Sequence, residues 1–166
     1  MLSINTKKTP SYKTAKFLNN RIKDYVNLPN AYTTKNSYEI AQELHNIHIT
    51  ENHKIITLDI KDLYVNLPKK GIVQTTKFWL DKNSINKTIS EQIIHLLKVI
   101  IEQNYFQYNN QFFRPENGIA MGSPISGTLA EIYLQFIEET FIKQWIESRE
   151  IIYYKRYVDD ILPNHI

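Results

Sequence analysis

The 166 residues are one domain's worth of chain, and 42% hydrophobic with 22% charged content is enough apolar material for a real core. The absence of cysteine excludes disulfides, zinc–thiolate sites and thiol catalysis. The net charge of +3 is unevenly spread: residues 1–36 hold seven Lys/Arg against the single acid Asp24, net +6, which leaves the other 130 residues at net −3. A basic segment joined to an acidic body suits a polyanionic partner, because each Lys or Arg near a phosphate releases counterions. Lys7, Lys8, Lys13 and Lys16 are the candidate nucleic-acid contacts.

Residues 1–11 carry no periodicity and end in Pro10-Ser11, so they read as extended or loop. The polar N-terminus has no apolar core of a secretory signal. Ala15, Phe17, Leu18, Ile22, Tyr25 and Val26 then recur at helical spacing up to Leu28-Pro29. A second helix is expected from Ser37, as N-cap, to about His48, with Ile40, Ala41, Leu44 and Ile47 inward. From Lys54 the period changes. Ile55 to Ile60 is β-branched and nearly continuously apolar, the pattern of a strand buried on both faces. Asp59 ends that strand, where a buried carboxylate is costly unless solvated or compensated.

Past Pro68, Ile72, Val73, Thr76, Phe78, Trp79 and Leu80 predict a helix ending near Asp81. Thr88 to Glu91 reads as a capping box opening a helix with Ile93, Leu96, Leu97, Ile100 and Ile101 inward. The longest apolar run, Ile93–Ile101, is broken by His95 and Lys98 and is too short to span a bilayer. Tyr105 to Phe113 predicts a hairpin turning at Asn109-Asn110.

Residues 118–127, GIAMGSPISG, hold three of the four glycines. A glycine-rich loop opening a helix allows close approach of a backbone or phosphate. Ser123-Pro124 is the expected N-cap and first helical residue. The spacing matches neither the dinucleotide-binding nor the P-loop fingerprint. Leu129, Ile132, Tyr133, Phe136, Ile137, Phe141 and Trp145 come next as one amphipathic stripe assigned to core. The last segment, Ile151 to Leu162, reads as strand, tight turn, strand, with Asp159-Asp160 at the tip. Two adjacent carboxylates repel unless a cation lies between them, and Mg²⁺ takes hard oxygen ligands, needing only one or two carboxylates plus substrate phosphates. Pro163 is expected to end the second strand, since proline cannot donate to a central ladder.

A strand ending in Asp59, a Gly-rich loop before a helix, and a hairpin carrying Asp159-Asp160 form the equipment of two-metal phosphoryl transfer. Over nearly its whole length the chain resembles a reverse transcriptase: LDIKDLY (58–64) looks like motif A, GIAMGSPIS (118–126) like motif B and YVDD (157–160) like the YxDD box of motif C. The wording GIAMGSPIS, with PSYKTAKFL upstream, is similar to the Penelope-like retroelement branch. By that resemblance Asp59 and Asp159 hold two Mg²⁺ ions (Mn²⁺ as substitute) and Asp160 supports them. Tyr64 falls where the family has a steric gate against the 2′-OH. Met121, where many members have Gln, lies with Gly122 and Ser123 against the template–nucleotide pair. Asp62 reads equally well as a solvated turn acid. The implied partners are an RNA template, a DNA primer and deoxynucleoside triphosphates, with no membrane.

The implied fold is α/β (α+β): a reverse-transcriptase-type palm, 53–71 and 116–166, with a small antiparallel sheet backed by helices, plus partial helical fingers, 1–52 and 72–115. No helical thumb, primer-gripping hairpin or GIY-YIG endonuclease sequence is found. The expectation is therefore a partial reverse transcriptase domain of a retroelement, the alternative being an inactive truncated remnant that at most binds nucleic acid.

Overall fold

The computed structural model describes residues 10–47, 54–103, 105–109, 111–120 and 122–165. In chain order the elements are α1 (Pro10–Tyr25), α2 (Ser37–His45), β1 (Lys54–Ile55), β2 (Leu58–Asp59), α3 (Leu63–Asn66), α4 (Lys69–Lys82), α5 (Lys87–Glu102), β3 (Phe106–Tyr108), β4 (Gln111–Phe113), α6 (Ser126–Ile137), a π-helical turn (Glu138–Ile142), α7 (Lys143–Glu147), β5 (Ile151–Tyr157) and β6 (Asp160–His165). This mixture of helices with a small antiparallel sheet is the expected α+β class. The chain divides into two compact units, residues 1–28 with 62–134, and residues 29–61 with 135–166.

The first unit is a helical assembly around an apolar core. Proline tolerates the first turn of α1, where its missing N–H has no intrahelical partner to lose. Ala15, Leu18, Ile22 and Val26 are buried as their spacing predicts, whereas Phe17 lies on the exposed side. Helices α4 and α5 pack together, and Ile72, Trp79 and Leu80 of the one and Ile93, Leu97 and Ile101 of the other are buried. The Trp79 indole N–H donates to the Ile132 carbonyl at 2.9 Å, so this large ring is buried without an orphaned donor. The cap of α5 is Asn86, whose side chain accepts from the Thr88 N–H at 2.9 Å, in place of the expected capping box at Thr88. The β3–β4 hairpin turns where expected, with Asn109 at φ 48.

The second unit is built on β6. Strand β5 lines one edge of β6, while β1 and β2 line the other in one continuous antiparallel register, Lys54↔His165 through Asp59↔Asp160. The expected strand over Ile55–Ile60 therefore exists as two short pieces, and it is not buried on both faces: Ile55 is 48% and Leu58 52% exposed. A β-branched run specifies extended backbone, but only a second packed layer buries it.

Pro163 does not end β6; the strand continues to His165. Its carbonyl accepts from the Ile56 N–H at 3.1 Å. In an antiparallel pair both main-chain groups of a residue point to the same neighbour. The missing donor therefore faces the gap between β1 and β2, and the β5–β6 ladder loses nothing.

Two further expectations are corrected. Helix α2 stops at His45 and is capped by Asn36, not Ser37, the Asn36 side chain accepting from the Glu39 N–H at 3.0 Å; none of its side chains is buried. The apolar stripe 129–145 loses phase at the π-helical turn, where the Lys143 N–H bonds to the Glu138 carbonyl five residues back. That extra residue turns the downstream half of the stripe to a different face. Leu129 and Ile132 are buried, whereas Phe141 is 50% and Trp145 46% exposed.

Candidate active site

In the second unit the strand register sets the three candidate acids at neighbouring backbone positions around the hairpin tip. Tyr157 pairs with Asp160, so Val158 and Asp159 form a two-residue turn. Asp160 is the first residue of β6 and faces Asp59 directly across the ladder. Residues directly opposite in an antiparallel pair project to the same face, and like charges there repel. Asp59 and Asp160 are both exposed and Asp159 is half-buried. Asp159 is tied in by its main chain, its carbonyl accepting from the Ile60 N–H at 3.0 Å. The register thus joins the acid of one strand to both acids of the hairpin.

Among the described residues no group of three His, Cys, Asp or Glu side chains could hold a metal ion by itself. The donor set still suits Mg²⁺, which keeps several waters and binds through one or two carboxylates plus substrate phosphates. Asp59 and Asp160, opposite each other with Asp159 adjacent, supply hard oxygen donors.

The turn is strained. Val158 has φ 55, a left-handed conformation in which a β-branched residue is an outlier. Such a residue costs on the order of 1–3 kcal/mol and persists only when its surroundings over-determine it. The surroundings here are two side chains that the motifs do not include. Arg156 Nη1 donates to the Val158 carbonyl at 2.9 Å, and Arg156 Nε donates to Glu138 Oε1 at 2.6 Å. The Arg156 side chain is 0% and that of Glu138 4% exposed. Glu138 also accepts from the Tyr154 hydroxyl at 3.3 Å, and Arg156 Nη2 approaches Thr33 Oγ1 at 3.4 Å. The main chain of Arg156 is held as well, its N–H by the Tyr32 carbonyl at 2.9 Å and its carbonyl by the Thr34 N–H at 3.0 Å. Burial, and then the Glu138 charge, push the Tyr154 phenol well above its ordinary range. One signal was present in the sequence: Gln135 and Glu138 succeed Ile132 at spacings of three, polar residues on the inward side of an apolar helix.

The first unit holds the other candidates. Tyr64 lies in α3 and is half-buried; its carbonyl accepts from the Ile119 N–H at 2.9 Å. Gly118 has φ 81, and a Cβ there would meet the Val65 carbonyl oxygen at 2.6 Å. The Gly-rich loop is thus pressed against the Tyr64 segment, backbone on backbone, which only glycine allows. Gly122, at φ 91, is exposed and Ser123 half-buried, the Ser123 N–H bonding back to the Ala120 carbonyl at 3.2 Å. Ser123-Pro124 does not open α6: the helix starts at Ser126, whose hydroxyl donates to the Ala120 carbonyl at 2.7 Å. Asp62, at φ 52, is an exposed turn residue. A cavity of about 260 Å³ beside the loop is lined by Tyr12, Ile101, Tyr105, Ile119 and Ser123 among others, with no charged side chain among the described residues. Lys13 and Lys16 are exposed on α1. Lys7, Lys8 and Met121 lie outside the described residues.

Residues 4–163 match the family model described as Reverse transcriptase (RNA-dependent DNA polymerase). The chain belongs to the reverse transcriptase family. At family level this carries RNA-directed DNA polymerase activity, a nucleic-acid template and primer, and deoxynucleotide substrates. Members of the family generally use divalent metals. No curated protein matches the chain. Among the described residues no helix of this reverse transcriptase is long and apolar enough to cross a membrane.

Proposed function

We propose that this chain carries a retroelement reverse transcriptase centre that extends a DNA primer on an RNA template, with Asp59, Asp159 and Asp160 as its acidic residues. The observation that carries the reading is the Asp59↔Asp160 register beside the Asp159 turn, in a chain of this family. Asp59 and Asp159 would hold two Mg²⁺ ions, with Mn²⁺ as a substitute, and Asp160 would support them. When bound, such ions hold the attacking and leaving oxygens of an in-line phosphoryl displacement. Tyr64 would exclude a 2′-OH, with Met121, Gly122 and Ser123 bordering the template–nucleotide pair. Lys13 and Lys16, with Lys7 and Lys8 before them, would lie along the nucleic-acid backbone. Residues 53–71 and 116–166 would serve as palm, and 1–52 and 72–115 as partial fingers. The wording GIAMGSPIS supports a Penelope-like origin.

The test is Mg²⁺-dependent extension of a DNA primer on an RNA template by the whole chain, with Asp159→Asn alongside. Extension that falls to background in the variant is the expected result; equal extension by both contradicts the assignment. Tyr64→Ala is expected to incorporate ribonucleotides that the parent rejects. Unchanged sugar selectivity would remove Tyr64 from its role.

A further inference from the structure

The YxDD hairpin is fixed by residues that lie outside its motif. A peptide unit is planar, so the Val158 carbonyl oxygen and the Asp159 N–H turn together as one rigid plate. Arg156 Nη1 grips that oxygen at 2.9 Å. The plate on the other side of Asp159 is gripped too, its carbonyl accepting from the Ile60 N–H at 3.0 Å, one residue beyond Asp59. Asp159 is therefore clamped from both flanks, once through the strand that bears Asp59 and once through a guanidinium.

That guanidinium has little freedom of its own. Glu138 Oε1 accepts from Nε at 2.6 Å, and both ends of the pair are buried. Glu138 opens the π-helical turn, a feature that recurs at functional sites. A buried ion pair is weak evidence for added stability, since well-packed apolar residues often serve as well. What this pair supplies that apolar residues cannot is a donor aimed at a strained carbonyl. Lysine cannot replace it, because a single ammonium lacks the planar fork that reaches Glu138 and Val158 at once.

We infer that Arg156, braced by Glu138, is a positioning residue that sets the Asp159 carboxylate for divalent-cation binding by locking the left-handed Val158 turn. The inference rests on the proposed role of Asp159 as a metal-holding residue and adds two residues that no motif assigns.

The experiment titrates Mn²⁺ against the folded whole chain, following free Mn²⁺ by electron paramagnetic resonance, for wild type, Asp159→Asn, Arg156→Lys and Glu138→Gln. Mg²⁺ dependence of primer extension is measured on the same set. Groups that orient metal ligands typically change affinity by about 10–100-fold when altered. Arg156→Lys is therefore expected to raise half-saturating Mn²⁺ and half-maximal Mg²⁺ about tenfold. Glu138→Gln, which keeps the shape of the brace but removes its charge, moves both the same way by less. It carries the test if circular dichroism shows that Arg156→Lys does not fold. Variants that melt lower yet keep wild-type metal dependence would reduce the pair to a structural element and overturn the inference, while the polymerase reading stands. Mn²⁺ binding indifferent to Asp159→Asn would overturn both. A wild type that binds Mn²⁺ through Asp159 but does not extend would sink the polymerase reading alone, and the Mn²⁺ shift would still decide the role of Arg156.

Discussion

The two units hold themselves together by different physics. In residues 1–28 with 62–134 the largest buried side chains are apolar: Trp79, Leu18, Ile22, Ile72, Leu80 and Leu97. In residues 29–61 with 135–166 the fully buried large side chains are Arg156 and Gln135, with Glu138 close behind, while Ile55 and Leu58 face outward. Apolar contacts are non-directional and tolerate small shifts, whereas a hydrogen-bonded network specifies angles. The three acids lie in the unit held by direction. The core of the first unit is thus apolar, while the turn that carries Asp159 is set by hydrogen bonds within the second.

The largest expected effects set the two regimes side by side. Glu138→Ala removes the carboxylate that faces the buried Arg156 guanidinium and is expected to cost about 3–5 kcal/mol. Replacing the pair together, Arg156→Met with Glu138→Leu, is expected to recover most of that stability but none of the metal dependence. Urea unfolding read beside Mg²⁺ titration separates the two outcomes; recovery of both would erase the distinction between the units. Trp79→Ala also costs about 3–5 kcal/mol, from lost packing. It is expected to leave the metal dependence of the folded fraction unchanged.

A smaller effect sharpens the contrast at the glycine loop. Gly118→Ala is expected to destabilise by more than about 1 kcal/mol, because alanine is strained at positive φ and its Cβ meets the Val65 carbonyl. Thermal melts check the stability, and ribonucleotide discrimination reports any displacement of Tyr64.

The smallest effect is alkaline. Burial first, then Glu43 for Tyr153 and Glu138 for Tyr154, raise both phenols above the ordinary value of 10.0. A raised folded-state pKa stabilises fully below pH 10 and is lost as pH rises through the folded value. The slope of stability against pH above 10 should be shallower in Tyr154→Phe. Lys69, lowered by burial and then by Arg114, acts in the opposite sense in the first unit, its charged form being the one disfavoured by folding. Lys69→Met should make the alkaline loss steeper.

Much of this is legible in the residues. Helices α1, α4 and α5 follow from apolar spacing, although the short α3 does not, and the β5–β6 hairpin follows from strand propensity around a two-residue turn. The three acids stand out because adjacent carboxylates on a turn, and one at a strand end, demand an explanation. The caps are ambiguous for a local reason: Asn36 and Asn86 compete with Ser37 and Thr88 one or two residues away, and only geometry chooses between them. The exposure of Ile55 and Leu58 is illegible because a β-branched run reads alike at an edge and in a core. Pro163 misleads because the harm depends on which neighbour its missing donor faces. The Arg156–Glu138 pair escapes a reading of the sequence because it is made by folding, between a π-helical turn and a strand 18 residues on.

The most direct measurement is primer extension on an RNA template by the whole chain and by Asp59→Asn, at saturating Mg²⁺, with native circular dichroism confirmed for both. Mg²⁺-dependent extension by the parent and background synthesis by the variant are expected, because the carboxylate opposite Asp160 is gone. Equal synthesis by both, or none by a well-folded parent, would contradict the assignment.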